Sequence, residues 1–272
     1  MCPQTDESTI YNLHLKNGII PVFKQGNGAQ LLIAFHGFES NKQAFKSWGD
    51  ILGESFTICT PDLPFHGQSD WQLSSFAQAD IIELILAIAE KEEVDHFTLA
   101  GFSMGGRFIV CLGKELKDKI DHFILLAPAG IGSYDKVRPL YMQRILEWLL
   151  QWPAWFKLGV QVFYRFGWIS NFQKRYAEVQ VFPQDKRYRL FRVFNSVLHF
   201  RTSFPFLVDF WRTTTIPILI ILGLKDRLIP NDKVKAYFAR SKNCTIIEIN
   251  AKHALETAEV AGIIMDKIQH SR

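Results

Sequence analysis

Short apolar segments alternate with amphipathic segments along most of this chain, and this alternation constrains its fold more than any other feature. Each apolar segment is too short for a helix, so each predicts a buried β-strand. The amphipathic segments between them predict helices. Alternating strands and helices favour an α/β fold with a mainly parallel sheet and helices on both faces. The predicted strands are residues 31–35, 56–60, 97–100, 123–127, 216–222 and 245–249, and three predicted helices are residues 107–116, 232–240 and 256–268.

Two further elements are predicted nearer the amino terminus. Residues 11–16 and 19–23 predict a β-hairpin, because both have an extended pattern and an Asn-Gly turn joins them. Ser75 and Gln78 have the spacing of a capping box. This spacing predicts a helix that has Ser75 as its N-cap and an apolar face over residues 81–88.

Composition separates one internal region from the rest of the chain. Residues 134–212 contain 13 Lys and Arg against 5 Asp and Glu, whereas the remaining residues contain 18 against 22. The same region holds 21 of the 37 aromatic residues. Because it differs from its flanks in two independent properties, we predict that it forms a separate unit.

The sequence shows no targeting, membrane or metal signal. Residues 1–10 lack a basic segment followed by an apolar run, so we expect no secretory signal and a cytoplasmic protein. The most apolar long region, residues 141–169, is interrupted by charged residues, so we expect no membrane-spanning helix. The cysteines have neither metal-ligand nor redox spacing, and no cofactor fingerprint occurs. We therefore expect neither a metal nor a cofactor.

A serine lies within the sequence Gly-Phe-Ser-Met-Gly-Gly at residues 101–106, between a predicted strand and a predicted helix. This is the context of a G-x-S-x-G nucleophile elbow, in which a sharp turn strains the serine and exposes its hydroxyl. The flanking glycines allow neighbouring backbone to approach. The helix that follows supplies backbone N–H groups that favour a negatively charged oxygen beside Ser103. Ser103 is therefore the candidate nucleophile.

With this motif and others in the same order, the chain resembles the α/β-hydrolase superfamily, in particular its members with a helical cap. The other motifs are Phe-His-Gly-Phe at residues 35–38, Pro-Asp-Leu-Pro-Phe-His-Gly-Gln-Ser at 61–69, Leu-Gly-Leu-Lys-Asp at 222–226, and His253. The resemblance covers nearly the whole chain. It implies an α/β-hydrolase fold with a core of residues 1–130 and 210–272 and an inserted helical cap of residues 131–209.

The resemblance also implies the order serine, acid, histidine along the chain. A serine is a weak nucleophile unless an adjacent base, itself oriented by a carboxylate, removes its proton. Asp226 and His253 each follow a predicted strand, which places both at the carboxyl ends of strands. We predict Ser103 as nucleophile, His253 as general base and Asp226 as the orienting acid. Asp232 is the rival acid, although helix capping also explains its position.

Further roles near the site follow from the same resemblance. It implies that the backbone N–H groups of Phe38 and Met104 form an oxyanion hole. Loss of one such donor typically costs about 2.7–4 kcal/mol in the rate, so the shape of this loop matters. We interpret His36 as a structural residue of the loop, and we expect Asp62 and His66 to fix turns near the site.

Candidate substrate-binding residues are aromatic and basic side chains of the predicted cap. The aromatic side chains either line an apolar acyl pocket or pack the core of the cap itself. The arginines form either a solvated face or a site for an anionic partner: a carboxylate substrate, an acyl group on an acidic protein, or an anionic membrane. Nucleic acid is disfavoured because no nucleic-acid-binding module accompanies the charge. The candidates are Trp148, Trp152, Trp155, Arg187, Arg189 and Arg192.

The predicted function is hydrolysis of a carboxylic ester or thioester of a small or acyl-chain substrate. Ser103 attacks the carbonyl, an acyl-enzyme forms, and water activated by His253 releases the acid. Two alternatives stay open. The same triad serves carbon–carbon bond hydrolysis of a carboxylate-bearing dienone, and a member of the fold can also be a non-catalytic ligand-binding protein.

Overall fold

The structure, a computed structural model, contains a nine-stranded sheet. It describes residues 8–131, 153–168, 170–176, 178–179 and 182–269. The strands are β1 (Thr9–Leu15), β2 (Gly18–Gln25), β3 (Gln30–Phe35), β4 (Phe56–Pro61), β5 (Asp70–Trp71), β6 (Phe97–Phe102), β7 (Ile120–Leu126), β8 (Ile218–Gly223) and β9 (Cys244–Ile249).

The strands follow the order β1-β2-β4-β3-β6-β7-β8-β9, and the short β5 pairs with β2. The pairings of β2 with β1, β4 and β5 are antiparallel. Those from β4 through β3, β6, β7 and β8 to β9 are parallel. The mainly parallel sheet predicted from the sequence is confirmed. Since parallel strands end at the same edge of a sheet, the loops after β3, β6, β8 and β9 share that edge.

Helices connect most of the parallel strands, and two short 3-10 turns, Lys46–Trp48 and Lys117–Lys119, supplement them. The helices are α1 (Gly49–Leu52), α2 (Gln78–Lys91), α3 (Met104–Leu112), α4 (Pro153–Arg165), α5 (Asn171–Tyr176), α6 (Gln184–Val197), α7 (Pro205–Thr213), α8 (Asn231–Phe238) and α9 (Ala258–Gln269).

The predicted hairpin is present as β1 and β2, but the predicted capping box is wrong. Helix α2 begins at Gln78, so its N-cap is Ala77 and not Ser75. The Ala77 N–H donates a hydrogen bond to the Asp80 carboxylate at 2.7 Å. A carboxylate in the first turn also interacts favourably with the helix dipole, which explains why the helix starts two residues later than the Ser75 pattern indicates.

The core contains aromatic clusters that attach helices to the sheet. Trp211 of α7 is fully buried, its ring lies 4.8 Å from that of Phe123 on β7, and its indole N–H donates to the Val110 carbonyl at 3.0 Å. Phe108 of α3 packs on Phe200, with ring centroids 4.4 Å apart. Fully burying such a side chain contributes roughly 1.5–3 kcal/mol, so these contacts fix α3 and α7 against β7.

Contacts between residues divide the chain into two compact units. The first comprises Met1–Asp135 and His199–Arg272, and the second comprises Lys136–Leu198. The first unit contains the sheet and α7. Residues 205–209 of α7 therefore group with the sheet, whereas the sequence prediction assigns them to the cap. Helices α4, α5 and α6 lie in the second unit, which is inserted after β7. Among the helices of the described residues, none is long and apolar enough to cross a membrane.

Candidate active site

Ser103 lies in the sharp turn that joins β6 to α3. Its φ of 51° and ψ of −108° are unusual for an L-residue, so the backbone is strained at this point. Hydrogen bonds hold the turn in place: the Ser103 N–H donates to the Leu126 carbonyl at 2.9 Å, and the Ser103 carbonyl accepts from the N–H groups of Arg107 and Ala129. The strained strand-to-helix turn expected of a nucleophile elbow is therefore present.

Gly105 shows why the elbow requires small residues. A Cβ at this position would collide with the carbonyl oxygen of Phe35, the last residue of β3. Without that Cβ, α3 can approach the end of β3 closely. Met104 is the first residue of α3, so its N–H has no acceptor within the helix. The turn thus leaves a backbone donor directly after Ser103.

Ser103, His253 and Asp226 form a hydrogen-bonded chain. His253 Nε2 is 3.1 Å from Ser103 Oγ, and His253 Nδ1 is 2.7 Å from Asp226 Oδ2. A carboxylate can only accept, so Nδ1 carries the proton and Nε2 accepts from the serine hydroxyl. The structure therefore brings together, across 150 residues of sequence, the three side chains predicted as a triad.

Asp226 is held rigidly at the end of β8. Its side chain is fully buried, and its Oδ1 accepts hydrogen bonds from the N–H groups of Leu228 at 2.7 Å and Ile229 at 3.1 Å. The Lys225 N–H donates to the Ala251 carbonyl at 2.9 Å, which joins the Asp226 loop to the His253 loop. Both oxygens of Asp226 are thus occupied, and the carboxylate has one orientation toward the histidine.

The surroundings of His253 are partly apolar. The Phe102 ring lies 4.9 Å from the imidazole, and the Glu256 carboxyl, three residues further along, is largely buried. Burial raises the pKa of Glu256, because a buried carboxyl loses hydration of its charged form. The Leu255 N–H donates to this carboxyl at 3.0 Å, so Glu256 closes the turn after the histidine.

The rival acid, Asp232, is solvent-exposed and pairs with a lysine, whereas Asp226 is the carboxylate bonded to the histidine. Its side chain is 98% exposed and lies 3.4 Å from Lys235 on the same helix. It is the second residue of α8, whose N-cap is Pro230, so the interpretation of Asp232 as a helix cap is wrong. An acidic residue in a first helical turn is favoured by the helix dipole, which accounts for its position.

His36 connects the loop after β3 to the loop after β4. The Leu63 N–H donates to His36 Nε2 at 3.1 Å, so the ring proton is on Nδ1, which donates to the Gly37 carbonyl at 2.7 Å. Complete burial lowers the pKa of His36 to about 4, which keeps the ring neutral. A Cβ at Gly37 would lie 3.5 Å from the Ser103 Cβ, so this loop borders the serine. The structural role predicted for His36 is confirmed.

A buried ion pair holds the same two loops together. Lys42 Nζ lies 2.8 Å from Asp62 Oδ2, and the Lys42 N–H donates to Asp62 Oδ1 at 2.7 Å. Asp62 also accepts from the Gln68 N–H at 2.8 Å, and the Lys42 ammonium donates to Gln68 Oε1 at 2.9 Å. Asp62 thus fixes the turn as expected. Lys42 was missed, because a single lysine in a polar loop carries no sequence signal for burial.

Replacement of Lys42 by methionine is expected to lower the free energy of unfolding by about 3 kcal/mol. The Asp62 charge would stay buried after its partner is lost, and breaking such a pair on one side typically costs about 3–5 kcal/mol. Lys235→Met is the matched control, since it breaks the exposed pair with Glu248, which solvent screens, and should destabilise the protein far less. Urea denaturation measures both. Equal destabilisation of the two variants would contradict the assignment of the buried pair.

The substrate-binding candidates are only partly described. Trp148 and Trp152 lie outside the described residues, and Trp155 lies in α4, where its backbone alone is described. Among the described residues, no group of three His, Cys, Asp or Glu side chains is placed to hold a metal ion.

The three candidate arginines lie on α6 but do not share a solvated face. Arg187 is 9% exposed, whereas Arg192 is exposed. Residues 187 and 189 are two positions apart, or about 200° around a helix, so they point in different directions. The alternative in which all three arginines are solvated is therefore wrong for Arg187.

A sequence model of the alpha/beta hydrolase fold matches residues 30–255, which is most of the chain. The chain therefore belongs to the α/β-hydrolase fold family, as the resemblance of its motifs implies. Esterases, thioesterases and lipases are among its structural neighbours.

Individual relatives are distant. The chain is 24% identical over 217 residues to putative esterase/lipase 3 of Mycoplasma pneumoniae, covering 78% of this chain and 74% of the relative. It is 25% identical over 131 residues to the dihydrolipoyllysine-residue acetyltransferase component of the acetoin cleaving system of Cupriavidus necator, covering 48% of this chain. That match spans 35% of the relative. The thioesterase domain from a curacin biosynthetic pathway superposes with a TM-score of 0.68 at 14% identity, covering 97% of this chain and 100% of that domain.

Proposed function

We propose that this protein is a serine hydrolase that cleaves a carboxylic ester or thioester through an acyl-enzyme. One observation carries the proposal: the hydrogen-bonded chain from Ser103 Oγ through His253 to Asp226, with distances of 3.1 and 2.7 Å. Membership of the hydrolase family and the esterase names of several relatives are consistent with it.

In the proposed mechanism Ser103 Oγ attacks the substrate carbonyl carbon while His253 Nε2 takes the hydroxyl proton. The imidazolium then gives this proton to the leaving alcohol or thiol as the tetrahedral intermediate collapses to the acyl-enzyme. A water molecule repeats the sequence: it loses a proton to His253, attacks the acyl carbon and releases the acid, and Ser103 regains its proton. Asp226 holds the Nδ1 tautomer and stabilises the imidazolium.

The oxyanion of each tetrahedral intermediate would be bound by the backbone N–H groups of Phe38 and Met104. Two observations support this: Met104 opens α3 directly after the serine, and the main chain at Gly37 borders the Ser103 side chain. Preorganised donors of this kind stabilise the charge that develops in the transition state. The network of His36, Lys42 and Asp62 would keep the Phe38 loop in place.

We also propose that residues 131–209 form a cap that determines substrate choice. The separate compact unit Lys136–Leu198 supports this assignment. The substrate-binding roles of the tryptophan and arginine candidates in the cap remain predictions.

A fluorophosphonate probe tests the proposal directly, because it reacts with a serine only where an adjacent base activates it. We expect the folded wild-type protein to be labelled at Ser103, as located by peptide mass spectrometry. Labelling should be lost in His253→Ala and after heat denaturation. Ser47, whose hydroxyl donates to the Glu256 carbonyl, serves as an internal control that should stay unlabelled. A folded protein that neither reacts with the probe nor hydrolyses esters would instead be a non-catalytic member of the fold.

A further inference from the structure

The carboxyl end of α4 carries an aromatic cluster on a well-defined turn. Gly167 has a φ of 71°, the Gly167 N–H donates to the Tyr164 carbonyl at 3.0 Å, and the Trp168 N–H donates to the Phe163 carbonyl at 2.9 Å. This is the hydrogen-bond pattern of a Schellman motif. The motif fixes the direction of the chain, so Trp168 returns against the helix that precedes it.

The cluster is exposed although its members touch each other. The Trp168 ring lies 5.3 Å from Phe163 and 5.9 Å from Phe166. Nevertheless Phe163 is 45% exposed, Phe166 67% and Trp168 71%. Val162 and Leu158 are also exposed and lie one and two turns before Phe166, so the aromatic cluster continues as an apolar stripe along α4. A contiguous exposed patch of this kind marks an interaction site more often than scattered apolar residues do.

Basic side chains flank this stripe. Lys157 and Arg165 are exposed and each precedes a stripe residue, Leu158 and Phe166, by one position, and Lys174 Nζ lies 4.2 Å from the centre of the Tyr164 ring. Residues 153–198 contain eight Lys and Arg against two Asp and Glu. The segment that carries the apolar stripe is therefore net cationic.

We propose that this surface, the α4 stripe with its aromatic cluster and flanking cations, docks on an anionic lipid bilayer. Aromatic rings are favoured at the headgroup level of a membrane, where their apolar faces leave water. Lys and Arg beside them are attracted to anionic headgroups and remain hydrated. A neutral apolar partner would explain the exposed rings but not the charge, and a free anion would explain the charge but not the rings. A lipid surface accounts for both, and this proposal does not depend on the proposed hydrolysis.

Vesicle sedimentation tests the docking. We expect the wild-type protein to co-sediment with phosphatidylcholine vesicles that contain phosphatidylglycerol and to bind pure phosphatidylcholine vesicles much more weakly. Lys157→Gln combined with Arg165→Gln should weaken binding about 25-fold, because each basic residue near an anionic surface contributes roughly a fivefold factor. Phe166→Ala combined with Trp168→Ala should weaken it on the order of tenfold, through the apolar area no longer buried.

A matched control removes an exposed aromatic residue and a nearby cation elsewhere. Phe206 of α7 is exposed and Lys114 Nζ lies 4.8 Å from its ring, so Phe206→Ala combined with Lys114→Gln should leave vesicle binding within about twofold. Circular dichroism checks that all variants are folded. Wild-type binding that is absent, or that the aromatic variant retains in full, would overturn the proposal. So would an aromatic variant that binds vesicles normally but loses kcat/KM on a soluble ester, since its rings would then serve substrate binding.

Discussion

The Ser103→Ala variant is expected to lose hydrolysis of p-nitrophenyl esters by a factor of about 10⁵–10⁶ while remaining folded. Alanine removes the single oxygen that lies 3.1 Å from His253 Nε2. The hydrogen bonds that hold the turn, to Leu126, Arg107 and Ala129, use backbone atoms only and survive the change. Steady-state kcat/KM on short-chain esters measures the loss, and urea denaturation monitors the fold.

Ser47→Ala provides the control for this prediction. Its hydroxyl lies in the first unit and donates to a backbone carbonyl at 3.3 Å, outside the proposed triad, so activity should stay within about twofold of wild type. If Ser103→Ala kept a tenth or more of the wild-type rate on these esters, another nucleophile would have to carry the reaction. The hydrogen-bonded chain at Ser103 would then be a structural feature only.

Local sequence pattern predicted the core of this fold well. Strands β3, β4, β6, β7, β8 and β9 all lie within three residues of their predicted positions, because short apolar segments are recognisable from local composition alone. Strand β9 is at the edge of the sheet and is only partly buried. The approximate positions of Ser103, Asp226 and His253 also followed from the pattern, since each comes just after such a strand. The carboxyl ends of parallel strands lie at one edge of the sheet, so contacts between these residues can be predicted although they are far apart in sequence.

Features that depend on tertiary contacts were not predictable in the same way. The start of α2 was predicted wrongly, because the Asp80 carboxylate accepts from the Ala77 N–H and makes Ala77 the N-cap, a contact that the Ser75 pattern does not indicate. Burial of Lys42 depends on Asp62 in a loop that follows a different strand. Arg187 and Arg192 are the same residue type in the same basic region, so composition does not distinguish them. Arg187 is buried and Arg192 is exposed because the two positions point in different directions from α6.

The Asp226→Asn variant is expected to lower kcat by about 10⁴-fold. Its shape is nearly that of the wild type, but an amide has one acceptor oxygen and one donor nitrogen. In wild type, Oδ1 accepts from the Leu228 and Ile229 N–H groups while Oδ2 accepts from His253 Nδ1. If the amide nitrogen faces His253, the imidazole proton moves to Nε2, and Ser103 loses its base. If the amide is flipped, its nitrogen opposes two backbone donors, so no orientation satisfies all the hydrogen bonds.

Asp232→Asn is the matched control for this variant, because it makes the same chemical change six residues away on a side chain that is 98% exposed. We expect it to alter kcat by less than about twofold, since removal of an exposed carboxylate leaves the histidine tautomer unchanged. Both variants should be assayed on the same neutral ester across a range of pH, so that a shifted optimum is not mistaken for a lost rate. A large loss in Asp232→Asn together with a small one in Asp226→Asn would transfer the role of the acid to Asp232. That outcome would require the loop after β8 to rearrange in solution, because Asp226 is the carboxylate in contact with His253 in the structure.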